Sequence, residues 1–140
     1  MPQQNLDFLL VRVCRAHINT ASEVFAPLKL QRSWPGVLLQ LELKDGMDQT
    51  ELAQRLEVST PTMTNLLNRM ETAGLVRRCK GCQDSRISNV YLSDAGRLKL
   101  DEVKAAIQQM EETTFAGFLT EEKAQMVAFL ERIHTNLINK

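Results

Sequence analysis

Apolar residues recur at three- and four-residue steps near both ends of the chain. Over residues 5–26 this spacing predicts one long amphipathic helix, and over residues 98–139 it predicts two, the second opened by Thr120 and two glutamates. Another helical stretch begins near Ser33 and stops before Gly46. The apolar residues that carry these patterns are Leu6, Leu9, Leu10, Val13, Ile18, Ala21, Val24, Phe25, Val37, Leu38, Leu41, Leu43, Ala95, Leu98, Val103, Ile107, Met110, Met126, Val127, Phe129, Leu130, Ile133 and Leu137.

The middle of the chain predicts two short helices joined by a tight turn. Asp48 and Glu51 fit a capping box, in which Asp48 caps the first helix and Glu51 lies three residues further on. The second helix is expected over residues 60–72 and ends before Gly74, which suits a left-handed position. Two short helices in this arrangement form a helix-turn-helix pattern. Their buried stripes are Leu52, Ala53, Leu56, Met63, Leu66, Leu67 and Met70.

The hydrophobic period then changes from helical to extended. Residues 75–79 and 87–92 are predicted to be two strands joined by a polar loop, which makes a β-hairpin wing, and Ser93 is expected to cap the next helix. The fold class is therefore mainly α with a small β-hairpin wing.

We expect a single domain over residues 1–140. Its central part, about residues 33–97, is a winged helix-turn-helix, and long N- and C-terminal helices at about 5–26 and 98–139 flank it. So small a central unit cannot cover the apolar faces of the terminal helices. We therefore expect them to pack against a second copy as dimerisation helices.

Composition excludes several classes of protein. The 140 residues are 44% hydrophobic and 24% charged, as in ordinary globular domains. Seventeen basic residues balance seventeen acidic ones, which excludes a histone-like polycation. No apolar run approaches the roughly 18–20 residues of a membrane span, and Met1–Asn5 lack the basic start of a signal peptide. We expect a cytoplasmic protein with reduced thiols and no membrane partner.

The second short helix presents a polar face that suits double-stranded DNA. A helix-turn-helix lays this helix in the major groove, where hydroxyls, amides and arginine bond phosphates or base edges. Such a face fits a solvated helix equally well, but the charge distribution favours DNA. Residues 62–86 carry five basic and two acidic side chains, a net +3, whereas residues 98–140 carry a net −2. The candidate DNA-binding residues of this region are Ser59, Thr60, Thr62, Thr64, Asn65, Asn68 and Arg69.

From Val58 to Arg78 the chain resembles the recognition helix and following strand of the MarR (multiple antibiotic resistance regulator) family. Residues 84–86 and 92–96 resemble that family's wing motif and next helix start. The resemblance implies a homodimeric transcription regulator of bacteria or archaea that binds pseudo-palindromic operators, most commonly as a repressor. It also implies a small-molecule cleft between the dimer helices and the winged unit.

The resemblance assigns roles in the wing. Arg86 would contact DNA in the minor groove, Asp84 would hold that arginine or its neighbour in place, and Lys80 would also support the wing. Ser85 is a departure, because many family wings carry the first of two adjacent arginines there. One branch of the family senses peroxide with a cysteine near the start of the first helix. That position here holds Asp7, so a peroxide-sensing role is not supported.

The cysteines leave alternatives open. Cys79 and Cys82 form a C-x-x-C motif on the wing, without the second ligand pair of a zinc site or the helix N-terminus of a thioredoxin-like centre. They are either ordinary reduced thiols or a reversible disulfide, which requires Cα atoms within about 7 Å and would misplace Arg86. Cys14 lies among apolar residues and is expected to pack.

His17 and Trp34 are candidates to line the effector cleft, although packing is the commoner role for such residues. The sequence predicts no cofactor and no metal, and it contains no pattern that supports an enzyme. The alternatives to a DNA-binding regulator are a winged-helix protein-interaction module and a thiol-redox sensor or enzyme that uses Cys79 and Cys82.

Overall fold

The structure of the protein is a computed structural model, and it describes residues 5–82 and 84–140. Residues 1–4, on which the expectation about a signal peptide depended, and residue 83 of the predicted wing loop lie outside this part. The elements follow in the order α1 (Leu6–Phe25), a 3-10 turn (Ala26–Leu28), α2 (Trp34–Leu43), β1 (Met47–Asp48), α3 (Gln49–Arg55), α4 (Thr60–Thr72), β2 (Val76–Lys80), β3 (Ser88–Leu92), α5 (Asp94–Thr114) and α6 (Thr120–Ile138). The predicted fold class is confirmed.

Local sequence sets the ends of the helices. Ser93 caps α5 as predicted, because its hydroxyl accepts a hydrogen bond from the backbone N–H of Gly96. Gly74, just beyond α4, has a φ of +79°, which is the left-handed conformation expected of it. At the start of α6 the Glu122 carboxylate accepts a hydrogen bond from the N–H of Leu119. Each of these contacts lies within a few residues, so sequence alone could predict them.

Only half of the predicted capping box forms. The Asp48 carboxylate caps α3 by accepting a hydrogen bond from the N–H of Thr50. The Glu51 carboxylate instead pairs with Lys44 at 3.0 Å and with Arg55 at 3.2 Å. The hydrogen bond from Lys44 is the main reason why the pKa of Glu51 is lowered. Two cations therefore outcompete the backbone N–H for this carboxylate.

The sheet has three antiparallel strands with β3 in the middle. The wing strands β2 and β3 pair Val76 with Leu92 and Lys80 with Ser88, and each strand begins one residue later than predicted. Strand β1 pairs Met47 with Val90 and was not predicted, because two residues are too few to show a period.

The core lies between the winged unit and the inward face of α5. Leu43 and Leu98, which belong to the apolar pattern of their helices, are exposed in the protomer. Helix α5 instead turns Gly96, Leu100, Val103, Ala106 and Met110 inward. The fully buried side chains of greatest volume are Val37, Leu38, Leu41, Met47, Leu52, Met63, Leu67, Met70, Val90 and Val103.

Gly96 marks the closest approach between α5 and the wing. A Cβ atom at this position would overlap the backbone carbonyl of Leu75, which itself accepts a hydrogen bond from the N–H of Ser93 at 3.1 Å. Only glycine lets the helix start at this distance from the chain leading into β2.

The terminal helices are exposed along their apolar faces. Neither α1 nor α6 buries a residue in the described chain. None of the helices in this part is long and apolar enough to cross a membrane. The exposed large apolar residues near the two ends are Leu6, Phe8, Val11, Val13, Ile18, Phe118, Leu119, Val127, Phe129, Leu130, Ile133, Leu137 and Ile138.

Candidate nucleic-acid interface

The first turn of α4 carries an ordered pair of hydroxyl groups. Ser59 Oγ accepts a hydrogen bond from the N–H of Thr62 and donates one to Thr62 Oγ1 at 2.8 Å. Ser59, Thr60 and Thr62 are all exposed. Because the N-terminus of a helix carries partial positive charge, these hydroxyls and the free N–H groups beside them suit phosphate oxygens.

Thr64 and Asn65 are neighbours with different surroundings. The Thr64 hydroxyl accepts a hydrogen bond from Gln49 Nε2 at 2.8 Å and donates to the carbonyl of Thr60 at 3.1 Å. Thr64 therefore fastens α4 to α3. Asn65 is exposed, and its amide makes no hydrogen bond with the residues that the structure describes. Of the two, Asn65 is the one free to contact a base.

Asn68 belongs to a small network that fixes α4 against the wing. The Arg78 guanidinium donates hydrogen bonds to Asn68 Oδ1 and to Glu71 Oε1, and the Arg78 backbone N–H donates to Glu71 Oε2 at 2.8 Å. The sequence indicated only that Arg78 adds positive charge to this region. In the structure its guanidinium binds Asn68 and Glu71 and so holds α4 against β2.

Two further arginines have partners. Arg69 Nη1 donates to Gln31 Oε1 at 3.3 Å, so the last turn of α4 is tied to the segment before α2. The Arg77 guanidinium lies 4.6 Å from the centre of the Tyr91 ring, with which it is paired across β2 and β3. Both contacts join residues far apart in sequence, which is why no motif revealed them.

The wing presents one arginine at its tip. Asp84 Oδ1 accepts a hydrogen bond from the backbone N–H of Arg86 at 3.0 Å and lies 3.6 Å from Arg86 Nε. The Arg86 side chain is nevertheless 88% exposed. The N–H groups of Gly81 and Ile87 close the loop by bonding to the carbonyls of Ile87 and Asp84, respectively. Lys80 is exposed at the end of β2.

A disulfide bond joins the two cysteines of the C-x-x-C motif. Cys79 and Cys82 form a disulfide, and their Cα atoms lie 5.7 Å apart. Cys14 is a free thiol and is exposed in the protomer. Among the residues described, no cluster of His, Cys, Asp and Glu is large enough to hold a metal ion.

A cavity of about 460 Å³ lies between the second half of α1 and the start of α2. His17 lines it, as the sequence suggested. Trp34 does not belong to its lining: the indole is 7% exposed and fills the core, although its N–H has no partner among the described residues. The lining residues are His17, Ile18, Ala21, Ser22, Phe25, Ala26, Leu30, Gln31, Arg32 and Pro35.

Known proteins resemble this chain in both sequence and fold. A model of the MarR family matches residues 28–87. The HTH-type transcriptional repressor MdtR of Bacillus subtilis (strain 168) is 30% identical over 94 residues, which are 67% of this chain and 60% of MdtR. The uncharacterised HTH-type transcriptional regulator YdgJ of the same organism is 26% identical over 95 residues, which are 68% of this chain and 58% of YdgJ. The chain therefore matches about three fifths of the length of these relatives.

The fold likeness extends to a solved DNA complex. The transcriptional repressor CouR bound to a 23-mer DNA duplex superimposes with a TM-score of 0.82 and 26% sequence identity. The match covers 94% of this chain and 93% of CouR, so it includes the terminal helices that the family model leaves out.

Proposed function

We infer that the chain is a member of the MarR family of winged-helix proteins and that it is a transcription regulator that binds double-stranded DNA in a sequence-specific manner. The observation that carries this proposal is the wing tip, where the Asp84 carboxylate holds the backbone of Arg86, whose side chain is 88% exposed. A guanidinium at such a tip suits the narrow, negative minor groove. The likeness to CouR, a repressor in complex with DNA, supports the same conclusion.

We further propose that the protein acts as a homodimer. Large apolar residues of α1 and α6 are exposed in the protomer, and exposed apolar side chains in this number are typical of an interface. A two-fold symmetric pair would place two α4 helices in successive major grooves, about one helical turn apart. This arrangement predicts a pseudo-palindromic operator.

Replacing Arg86 with alanine is expected to weaken DNA binding about tenfold and to reduce the salt dependence by roughly one counterion. The reason is that this exposed guanidinium contributes a charge contact and little to the fold. Fluorescence anisotropy over a salt series, with a duplex selected by the protein from random DNA, measures both quantities. Arg132→Ala on α6 is the matched control and should change neither.

The variant Asn65→Ala tests whether this side chain contributes to base preference without contributing a charge contact. It is expected to change the base preference in a repeated selection while leaving the salt dependence unchanged. Equal losses for Asn65→Ala and Arg86→Ala on every duplex would contradict this division of roles. Absence of any DNA affinity in the wild-type protein would instead favour a protein-interaction module.

We propose that a small organic anion releases the protein from DNA by entering the cavity beside α1. A volume of about 460 Å³ suits a small ligand, and the lining combines apolar side chains with Arg32 and His17. An aromatic or amphipathic carboxylate matches that combination. Gln31 in the lining also accepts the hydrogen bond from Arg69 of α4, which connects the cavity to the helix that reads DNA.

The probe 2-naphthoate is expected to raise the melting temperature and to weaken DNA binding about tenfold. Ala21→Trp, which fills the cavity, should abolish both effects while keeping DNA binding in the absence of the probe. Thermal unfolding and anisotropy measure the two responses. If 2-naphthoate acts equally on wild type and Ala21→Trp, the ligand site lies elsewhere.

A further inference from the structure

We propose that Cys79 and Cys82 are a redox-modification site, a reversible disulfide whose formation orders the wing and strengthens its contact with DNA. The effect on DNA rests on the proposed function. The chemistry of the cysteine pair does not depend on it.

The backbone places the two cysteines for ring closure. Their Cα atoms are 5.7 Å apart, near the commonest separation for disulfides. Gly81 between them has a φ of +78°, a conformation that glycine adopts without strain and that turns the chain back at this point. No backbone movement is therefore needed to form or open the bond.

The pair is also accessible. Cys82 is exposed, whereas Cys79 is half-buried near the end of β2, opposite Asn89. A small molecule can therefore reach Cys82 first, and the thiolate is the form of cysteine that reacts.

We propose exchange with a low-molecular-weight disulfide as the oxidising step. The Cys82 thiolate attacks one sulfur of the small disulfide, forms a mixed disulfide and releases one small thiol. The Cys79 thiolate then attacks Sγ of Cys82 and displaces the second small thiol. Two electrons and two protons pass from the protein to the small disulfide, which leaves as two thiols, and an excess of those thiols reverses the reaction.

The position of the ring determines its effect on the wing. It lies at the entry of the loop that the Gly81 and Ile87 N–H groups close and that ends in the Asp84–Arg86 contact. Opening the ring gives this loop more conformations, and the freedom must be lost again when Arg86 enters a groove.

The sequence led us to expect that a disulfide would misplace Arg86. The disulfide and the Asp84–Arg86 hydrogen bond occur together in the structure, which argues against that expectation. In the oxidised wing the Asp84 carboxylate holds the backbone N–H of Arg86. We therefore assign the higher DNA affinity to the oxidised form.

The first test follows the thiols. The full chain with Cys14→Ser, which removes the free exposed thiol, is equilibrated with mixtures of reduced and oxidised glutathione, alkylated and weighed by mass spectrometry. Cys79 and Cys82 should lose their thiols together and recover them together. Stable glutathione adducts, or thiols that never oxidise as a pair, would overturn the proposal.

The second test measures DNA affinity in each state. On a selected duplex of about 25 base pairs, the oxidised protein is expected to bind about three- to tenfold more tightly than the reduced protein. The DNA affinity of the double variant Cys79→Ser/Cys82→Ser should be the same under oxidising and reducing conditions and should equal that of the reduced protein. Equal or weaker binding by the oxidised form would overturn the inference. If neither form binds DNA while the pair still oxidises reversibly, the proposed function fails and the modification site itself is supported.

Discussion

Replacing Gly96 with alanine is expected to destabilise the fold by about 3 kcal/mol and to lower the melting temperature by about 10 °C. The added methyl group would overlap the carbonyl of Leu75, a backbone atom that cannot rotate away. That carbonyl accepts the N–H of Ser93, and the Ser93 hydroxyl donates to the carbonyl of Gly74 and caps α5. Relief of the overlap would therefore disturb the helix cap and the start of β2 together.

Gly36→Ala is the matched control, since it places the same methyl group on a helix. A Cβ atom there would meet only the side chain of Leu56, with Cδ2 at 3.1 Å and Cδ1 at 3.9 Å, and that flexible side chain can move. The gain in helix propensity of up to about 1 kcal/mol offsets the contact, so the net change should be small. Thermal unfolding of both variants at one protein concentration measures the difference. Equal melting temperatures for the two variants would show that α5 can shift freely against the wing.

Replacing Leu130 with glutamate is expected to convert the proposed dimer to monomers and to reduce DNA affinity at least about a hundredfold. Leu130 lies on the apolar face of α6 and is 46% exposed in the protomer. An unpaired carboxylate in a buried dimer interface costs several kcal/mol, and a monomer loses the combined binding of two half-sites. Light scattering measures the mass, and anisotropy on the selected duplex measures the affinity.

Thr135→Glu adds the same charge on the opposite side of α6 and should leave both the mass and the affinity unchanged. The wild-type protein should scatter light as a particle of twice 15.9 kDa at micromolar concentration. A wild-type mass of 15.9 kDa would refute the dimer and the pseudo-palindromic operator together.

The bounds of an element could be predicted best where capping or turn residues stand at both of its ends. Helix α4 spans Thr60–Thr72 as predicted, because Ser59 caps one end and Gly74 ends the other. The resemblance also indicated the link between Asp84 and Arg86 in the wing. These features depend on residues within a few positions of one another.

Contacts between distant residues could not be predicted in the same way. Thr64 and Asn68 were selected because they are polar and lie on the exposed face, but Gln49 and Arg78 bind their side chains within the protein. The hydrophobic period predicts which face of a helix is polar. It does not predict which polar side chains of that face form hydrogen bonds with a neighbouring element.

The lining of the cavity could be predicted only in part, because it also depends on contacts between distant residues. His17 lines the cavity, whereas Trp34 is in the core, and the segment that joins α1 to α2 supplies Ala26, Leu30, Gln31 and Arg32. This segment has no regular period, and its shape depends on how two helices meet.

Gln31 has two roles, as part of the cavity wall and as the acceptor for Arg69 of α4. A molecule that binds the Gln31 amide would compete with the recognition helix for the same oxygen. Thermodynamic linkage makes such competition mutual, so DNA must lower the affinity for the molecule by the factor by which the molecule lowers the affinity for DNA. The dissociation constant measured on free protein would then understate the concentration needed to clear an occupied operator.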